Sequence, residues 1–207
     1  RFNRLSVGQY ELGSLFKSVS TAMALEYGTV SLKDGFDASR PLRIKNDTIH
    51  DFHAQKRWLS VPEIMVYSSN IGTVKMVQTV TQERQRRFLR ELGMFTPVGI
   101  ELHERSTPKV SSHWRPIRRA TVSYGHGISV TPLHLIRGML AINGGGLHRD
   151  LTLLDKTKKE AHRLLSRETS DKVNRLMRAV VQYGTAKSAH VPGYAVGAKT
   201  GTANKVI

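Results

Sequence analysis

The chain has 207 residues, of which 39% are apolar, and its 32 Lys and Arg against 16 Asp and Glu give a formal net charge of +16. This length and composition suit one globular domain, or one and a half, with a sizeable core. The chain has no cysteine, which excludes disulfides and cysteine-based zinc sites. No apolar run approaches the length of a membrane span, and Arg1 begins without a signal-like segment, so we expect a soluble portion of a longer protein.

The basic charge invites a polyanion hypothesis, such as nucleic acid or an acidic membrane surface. The cations are spread along the chain, however, as in the runs 84–90 and 115–119, and lack the interleaved aromatics that stack bases. A solvated basic face near an anionic polymer or membrane is the favoured interpretation. A nucleic-acid-binding domain is kept as a distant alternative.

An apolar, helix-forming run follows Tyr10, and it carries a serine and a lysine three residues apart. A helix beginning near Gly13 and ending near Tyr27 would place Ser14 in its first turn and stack Lys17 on the same face. A neutral amine at Lys17 could accept the Ser14 hydroxyl proton, and an unpaired amide of the first turn could face an oxyanion. The pattern predicts a nucleophile with an adjacent base.

The same spacing occurs a second time, at Ser106 and Lys109. Pro108 between them is hard to place in a helix interior, so we do not expect these two side chains to be stacked. This second copy shows that the spacing is weak evidence when taken alone.

The remaining elements are predicted in chain order. Residues 29–58 indicate turns and short extended pieces, and a metal site from His50 and His53 is not favoured without a third ligand. A capping box at Ser60 and Glu63 predicts a helix through Tyr67 that leads to the polar triplet 68–70. Further helices are predicted over 71–80, 82–92, 131–142 and 170–182, and a strand over 194–198 that runs into Lys199-Thr200-Gly201.

Three motifs therefore stand in order: Ser14-x-x-Lys17, Ser68-x-Asn70 and Lys199-Thr200-Gly201, with Thr202 following. Their joint occurrence is typical of penicillin-binding proteins and class A β-lactamases. The chain resembles the transpeptidase domain of class B penicillin-binding proteins over nearly its whole length, and most of all the division-specific type. The segments that also carry this resemblance are 10–13, with Leu12 where proline is usual, 119–127, with His126 where an aromatic is commoner, and 130–133.

The resemblance implies an α+β fold of the penicillin-binding protein and serine β-lactamase type. Residues 1–207 would be a partial transpeptidase domain, mainly helical, that runs from the nucleophile helix to the K-T-G strand. The implied activity is that of a serine-type D,D-transpeptidase, which cross-links peptidoglycan stem peptides in septal wall synthesis through an acyl-enzyme on Ser14. β-Lactams would acylate the same serine.

The resemblance also assigns roles to the motif residues. Lys17 would be the general base, Ser68 would relay a proton to the leaving group, and Asn70 would bind the substrate amide and steady Lys17. The substrate carboxylate would be held by Lys199, Thr200 and Thr202. The amides of Ser14 and Thr202 would form the oxyanion hole.

General chemistry agrees with these roles. A lysine acts as a base near neutral pH only if burial or a like charge lowers its pKa, and Lys199 could supply that charge. Gly201, without a β-carbon, would let substrate pass close to the strand. No cofactor and no metal is expected.

The resemblance implies a protein on the periplasmic face of the cytoplasmic membrane, anchored by an N-terminal segment outside this chain. Its partners would be stem peptides, β-lactams and, in the full-length form, cell-division and glycan-polymerising membrane proteins. A serine β-lactamase or β-lactam sensor is the nearer alternative. No E-x-x-L-N sequence lies between Asn70 and Lys199 to supply a deacylating carboxylate, which favours the transpeptidase.

The chain would hold most of the helical subdomain but little more than one principal strand of the family's sheet. A strand without a neighbour leaves its backbone groups unpaired. We therefore expect residues 194–202 to be poorly ordered, paired with another copy or displaced from Ser14, and acylation to be slow.

Overall fold

The computed structural model describes residues 2–155 and 159–202. None of the helices in these two ranges is both long and apolar enough to cross a membrane. The elements, in chain order, are β1 (Tyr10–Glu11), α1 (Lys17–Glu26), β2 (Gly35–Asp37), β3 (Leu42–Ile44), β4 (Asp47–Ile49), β5 (Trp58–Ser60), α2 (Val61–Val66), α3 (Asn70–Gln78), α4 (Gln82–Glu91), β6 (Lys109–Val110), α5 (Pro116–Ser123), β7 (Ile128–Val130), α6 (Pro132–Asn143), β8 (Leu147–Arg149), β9 (Ala161–Arg163) and α7 (Arg167–Tyr183).

Helix α1 lies at the centre of the molecule. A 3₁₀ turn over Gly13–Phe16 precedes it, and every residue from Lys17 to Leu25 is buried. Helices α3, α6 and α7 pack around α1, so it has no solvent-facing side over this stretch. The predicted helix is confirmed, and Gly28 ends it with a left-handed φ of +63°. The core therefore fixes the position of Lys17, three residues after Ser14.

The other predicted helices are confirmed, with small shifts at their ends. Ser60 and Glu63 form the expected capping box at the start of α2. Helix α7 begins three residues before its predicted start, because the Ser166 hydroxyl accepts a hydrogen bond from the amide of Thr169 at 3.1 Å. The region 29–58 contains the short strands β2 to β4 and the first residue of β5, as the turn-rich sequence indicates.

A small antiparallel sheet in the order β1, β7, β6 lies next to the nucleophile turn. Glu11 of β1 and Lys109 of β6 both stand opposite Ser129 of β7. Strand β1 runs directly into the turn that carries Ser14. Because Lys109 is in a strand, it is not stacked on Ser106 in a helix, as expected from Pro108.

The predicted strand over 194–198 is wrong: no strand is assigned anywhere in residues 190–202. The segment instead docks on α7, where the amide of Ala198 donates to the carbonyl of Met177 at 3.1 Å and Arg178 donates to the carbonyl of Val196 at 3.0 Å. No strand among the described residues lies beside it, so its backbone takes partners from a helix. The K-T-G segment thus keeps its place without forming a sheet.

Gly125 provides a test of the packing at the nucleophile turn. Its φ is +85°, and a β-carbon there would lie 2.2 Å from the carbonyl oxygen of Gly13. Gly145 has a similar φ of +73° but open space around it. We expect Gly145→Ala to cost about 1–2 kcal/mol of unfolding free energy through backbone strain alone. Gly125→Ala should cost about 1–3 kcal/mol more because of the clash.

Urea denaturation of the two variants measures this difference directly. Equal losses of stability would show that the contact between Gly125 and Gly13 is not tight.

Candidate active site

The serine of the first motif lies in the 3₁₀ turn that leads into α1. Ser14 is half-buried, and the residue before it, Gly13, has a left-handed φ of +53°. The Gly13 amide donates to the carbonyl of Gly125 at 3.2 Å. Amides in the first turn of a helix have no intrahelical partner, so they are available to an anionic atom. The turn presents a hydroxyl beside a site suited to negative charge.

Lys17 is fully buried beneath this turn. Its ammonium donates to the carbonyl of Ser68 and, at 3.1 Å, to the Ser68 hydroxyl. Burial holds the pKa of Lys17 well below its usual value, and the charge of Lys199 lowers the pKa further, while Asp51 acts in the opposite direction. Both causes that the sequence analysis named, burial and the charge of Lys199, therefore lower the pKa of Lys17.

Ser68 joins the second motif to the other two. It has a left-handed φ of +57°, which is uncommon for a residue other than glycine. Its hydroxyl oxygen receives one hydrogen bond from Lys17 at 3.1 Å and another from Lys199 at 2.9 Å. Since both contacts use the oxygen as acceptor, its own proton remains free to donate. This hydroxyl lies between the two lysines and can pass a proton.

Lys199 closes the site from the other side. Its side chain is buried, and burial lowers the pKa of Lys199 to about 8. Its ammonium also donates to the carbonyl of Thr200 at 3.0 Å, and the Thr200 hydroxyl lies 2.7 Å from that of Thr185. The first and third motifs therefore meet at Ser68.

Asn70 lies at the start of α3, and among the described residues its side chain forms no hydrogen bond with Lys17 or Ser14. Its amide nitrogen donates to the carbonyl of His50 at 2.9 Å. The adjacent Ser69 caps α3 and donates its hydroxyl proton to Asp51 at 2.7 Å. Residues 50 and 51 thus bind Ser69 and Asn70 of the second motif, and the Asn70 side chain is directed toward this loop.

Asp51 is a supporting residue that the sequence did not reveal. Its second carboxylate oxygen accepts a hydrogen bond from the amide of Ile71 at 2.9 Å. Asp51 therefore binds the residues on both sides of Asn70. The sequence analysis considered only His50 and His53 in this loop, as metal ligands, and did not favour that site. Within residues 2–155 and 159–202, no group of three or more His, Cys, Asp or Glu side chains could hold a metal ion.

The K-T-G segment packs directly on the nucleophile turn. A β-carbon on Gly201 would lie 2.6 Å from Leu15 and 2.9 Å from the carbonyl oxygen of Leu12. A β-carbon on Gly13 would lie 2.2 Å from the carbonyl oxygen of Thr202. Of the three outcomes expected for this segment, displacement from Ser14 is therefore wrong. Contacts to α7 and Ser68 hold the segment in this position. Gly201 allows it to pack closely on the turn, because a side chain there would clash with Leu12 and Leu15.

Comparison with known proteins defines the class. The family model described as the penicillin-binding protein transpeptidase domain matches residues 1–206. The chain therefore belongs to this family, as a transpeptidase domain of the class B type.

Curated relatives named as probable peptidoglycan D,D-transpeptidases match nearly the whole chain. The chain is 37% identical to a probable peptidoglycan D,D-transpeptidase FtsI of Caulobacter vibrioides, over 99% of the chain and 36% of that protein. It is 31% identical to the probable peptidoglycan D,D-transpeptidase PenA of Neisseria gonorrhoeae, over 100% of the chain and 36% of that protein. The chain thus spans about a third of the length of these curated relatives.

Solved structures share the fold. The transpeptidase domain of Burkholderia pseudomallei penicillin-binding protein 3 superposes with a TM-score of 0.92 at 28% identity, covering 99% of this chain and 64% of that one. Penicillin-binding protein 3 of Mycobacterium tuberculosis in complex with aztreonam gives 0.91 at 26% identity, covering 99% and 50%. The predicted α+β fold class is confirmed.

Proposed function

We propose that the chain carries the catalytic centre of a peptidoglycan D,D-transpeptidase, with Ser14 as the nucleophile. The observation that supports this most is the bridge from Lys17 through the Ser68 hydroxyl to Lys199, next to the turn of Ser14. A buried amine, a relay hydroxyl and a cation for a carboxylate are the groups that acyl transfer from a D-alanyl-D-alanine end requires.

The first half-reaction begins with a neutral Lys17. Its amine takes the Ser14 hydroxyl proton while the oxygen attacks the carbonyl carbon of the penultimate D-alanine. The oxyanion is stabilised by the amides of Ser14 and Thr202. The carbon–nitrogen bond then breaks, and the proton passes from Lys17 through Ser68 to the amine of the leaving D-alanine.

Lys199, Thr200 and Thr202 hold the terminal carboxylate of the donor, and Asn70 binds its amide from the start of α3. Hydrogen bonds between base and nucleophile often tighten only when substrate is bound, so the preference of Lys17 for Ser68 in the free chain is compatible with this role. A β-lactam, whose carboxylate and strained amide imitate the donor end, acylates the same serine. The Mycobacterium tuberculosis relative was solved with aztreonam and with ampicillin.

The cellular setting belongs to this proposal. The domain acts on stem peptides at the periplasmic face of the cytoplasmic membrane during septal wall synthesis, as part of a longer, membrane-anchored protein. Its partners there are the cell-division and glycan-polymerising membrane proteins. The relatives include a probable peptidoglycan D,D-transpeptidase FtsI and a stage V sporulation protein D, which supports a role in building cell wall.

A donor peptide ending in D-alanyl-D-alanine tests the proposed activity. In the presence of an amine acceptor, we expect release of free D-alanine together with a new amide between donor and acceptor. A penicillin adduct should persist on the transpeptidase for far longer than one turnover of a β-lactamase. Rapid hydrolysis of penicillin, without transfer to the amine, would favour the β-lactamase alternative.

The two lysines predict a bell-shaped dependence of penicillin acylation on pH. The rate rises with pH as Lys17, whose pKa is lowered, loses its proton and becomes a base. It falls again above a pH of about 8, because Lys199 then loses the charge that attracts the carboxylate.

Lys199→Arg separates the two limbs, since a guanidinium stays charged over this range. Stopped-flow acylation of this variant should keep the rise and lose the decline. A decline that survives the substitution would show that Lys199 does not cause it.

A further inference from the structure

One stretch of the chain carries positive charge without a carboxylate to balance it. Residues 105–149 contain no Asp or Glu, although the whole chain has 16 of them. Two arginines of this stretch, Arg115 and Arg118, are exposed at the start of α5. The catalytic proposal uses neither arginine, so it leaves this charge without a role.

Three adjoining clefts lie on this part of the surface. The first, of about 470 Å³, borders all three strands of the small sheet and is lined by Lys109, Ser111 and Arg118. The second, of about 440 Å³, shares Ser111 and Arg118 with the first and adds Arg115. The third, of about 350 Å³, shares Arg115 with the second and reaches Lys45 in the turn between β3 and β4. Together the three clefts form a continuous basic groove.

The four cations of the basic groove have no anionic partner. In the described part of the chain, none of Lys45, Lys109, Arg115 and Arg118 forms an ion pair. Arg118 donates to the carbonyl of Gly127 at 3.3 Å, which leaves most of its five N–H donors for other acceptors. The groove therefore offers free charge to an anionic ligand.

The carboxylates of the basic groove lie at its two ends. Glu11 lines the first cleft, but its oxygens already contact His126 and the amide of Gly127. Asp47 lines the third cleft. No Asp or Glu lines the second cleft, which lies between them. The middle of the groove is thus purely cationic.

The wall of the groove is fixed by local contacts. Arg86 of α4 donates to the carbonyl of Ser112 at 2.9 Å, and its guanidinium lies 5.2 Å from the centre of the Trp114 ring. The Trp114 indole in turn donates to the carbonyl of Ser111 at 2.9 Å. A surface held in this way loses little conformational freedom when a ligand binds.

The uncharged lining indicates which kind of anion fits. Val110 lines the first cleft, Ile117 the second and third, and Ile44 the third, so each cleft combines cations with an aliphatic side chain. No Phe, Tyr or Trp lines any of the three, and the groove therefore lacks the rings on which nucleic-acid bases stack. An extended peptide in which acidic and aliphatic side chains alternate complements this lining.

We propose that the basic groove binds an acidic, extended segment of a partner protein, with Arg115 and Arg118 as its principal contacts. Arginine suits this role because its planar fork can hold a carboxylate through two hydrogen bonds. No residue of the three motifs lines the groove, so the interaction does not depend on the chemistry proposed for Ser14.

Fluorescence anisotropy with a labelled decapeptide of alternating glutamate and leucine measures this interaction on the intact chain. We expect saturable binding that weakens as salt rises toward about 1 M, where charges are screened beyond about 3 Å. The double variant Arg115→Gln/Arg118→Gln should raise the Kd by about tenfold, since one exposed ion pair is worth at most about a fivefold change. Penicillin acylation of this variant should match that of the wild type.

Arg167 and Arg175 supply the matched control. Both are exposed on α7, which contributes no residue to the groove. Arg167→Gln/Arg175→Gln removes the same charge and should leave the Kd unchanged. Arg115→Lys/Arg118→Lys keeps the charge of the groove and should retain more affinity than the glutamine variant.

Two further ligands separate an acidic peptide from other partners. A decapeptide of alternating glutamine and leucine should not bind, and single-stranded DNA of ten nucleotides should bind less tightly than the glutamate peptide. Binding of the glutamine peptide with equal affinity, DNA binding as tight as that of the glutamate peptide, or an equal loss of affinity in the α7 variant would overturn the proposal. Failure of the glutamate peptide to bind the wild-type chain at low salt would overturn it as well.

Discussion

Replacing Ser14 by Ala is expected to abolish covalent labelling by a fluorescent penicillin while leaving the fold intact. The substitution removes one hydroxyl from a half-buried position in a cleft and creates no cavity in the core. Because the proposed mechanism forms the acyl bond on the Ser14 oxygen alone, the loss should be complete rather than partial. Gel fluorescence measures labelling, and thermal denaturation checks the fold.

The second S-x-x-K sequence provides a matched control. The Ser106 hydroxyl donates to the carbonyl of Val7 at 2.8 Å rather than to any motif residue, and Lys109 lies in a strand. Ser106→Ala should therefore label as the wild type does. Labelling of Ser14→Ala at any other residue would contradict the assignment.

Lys17→Met is expected to reduce the acylation rate by at least about a hundredfold, since a general base usually contributes a factor of this size or more. The same change should not lower the thermal midpoint at neutral pH. Methionine has a similar length and carries no charge into the buried site, and Ser68 keeps Lys199 as a donor.

The lowered pKa of Lys17 shows whether this lysine raises or lowers the free energy of unfolding. The unfolded chain binds a proton on this lysine more tightly than the folded protein does, so burial of Lys17 costs stability. The cost is fully present below the folded pKa and disappears as the pH rises toward the unfolded value. Removing the lysine therefore removes a destabilising group at neutral pH.

Lys75→Met supplies the control for Lys17→Met. Lys75 lies on α3, where it donates to the carbonyl of Asp37, and it touches none of the motif residues. We expect it to leave acylation unchanged. Acylation of Lys17→Met at the wild-type rate would contradict the role of Lys17 as base. Loss of folding in that variant would contradict the stability argument, and Lys17→Gln would then be compared at matched stability.

The sequence predicted the parts of the fold that local chemistry determines. The capping box at Ser60, the proline after Thr131 and the glycine after Tyr27 each act within a few residues, and the structure has helix ends at these places. The motifs brought Ser14, Lys17, Ser68 and Lys199 to attention because their side-chain types carry specific chemistry at specific spacings.

Long-range pairing was less accessible to sequence reasoning. The role of Asp51 depends on a contact with Ser69, 18 residues away, and no local pattern marks it. The segment at 194–202 has strand-like composition, but a strand is defined by its neighbour, and here the neighbour is α7. The assumption that an unpaired segment must leave the site failed for the same reason, since Lys199 is held by Ser68.

The position of Asn70 shows a third limit. Its role was inferred from the motif alone, whereas its side-chain direction follows from the carbonyl of His50, 20 residues earlier. A contact of this kind depends on how the loop at 50–51 returns to α3. Sequence separation of this size leaves the partner undetermined until the fold is known.

Mass spectrometry of the penicillin-labelled protein tests the central claim most directly. The chain is incubated with a penicillin, digested, and the modified peptide is fragmented to locate the added mass. We expect one adduct, on Ser14, in the wild type and in Ser106→Ala. An adduct on another side chain, or no adduct on folded protein at any pH between the two limbs of the rate profile, would contradict it.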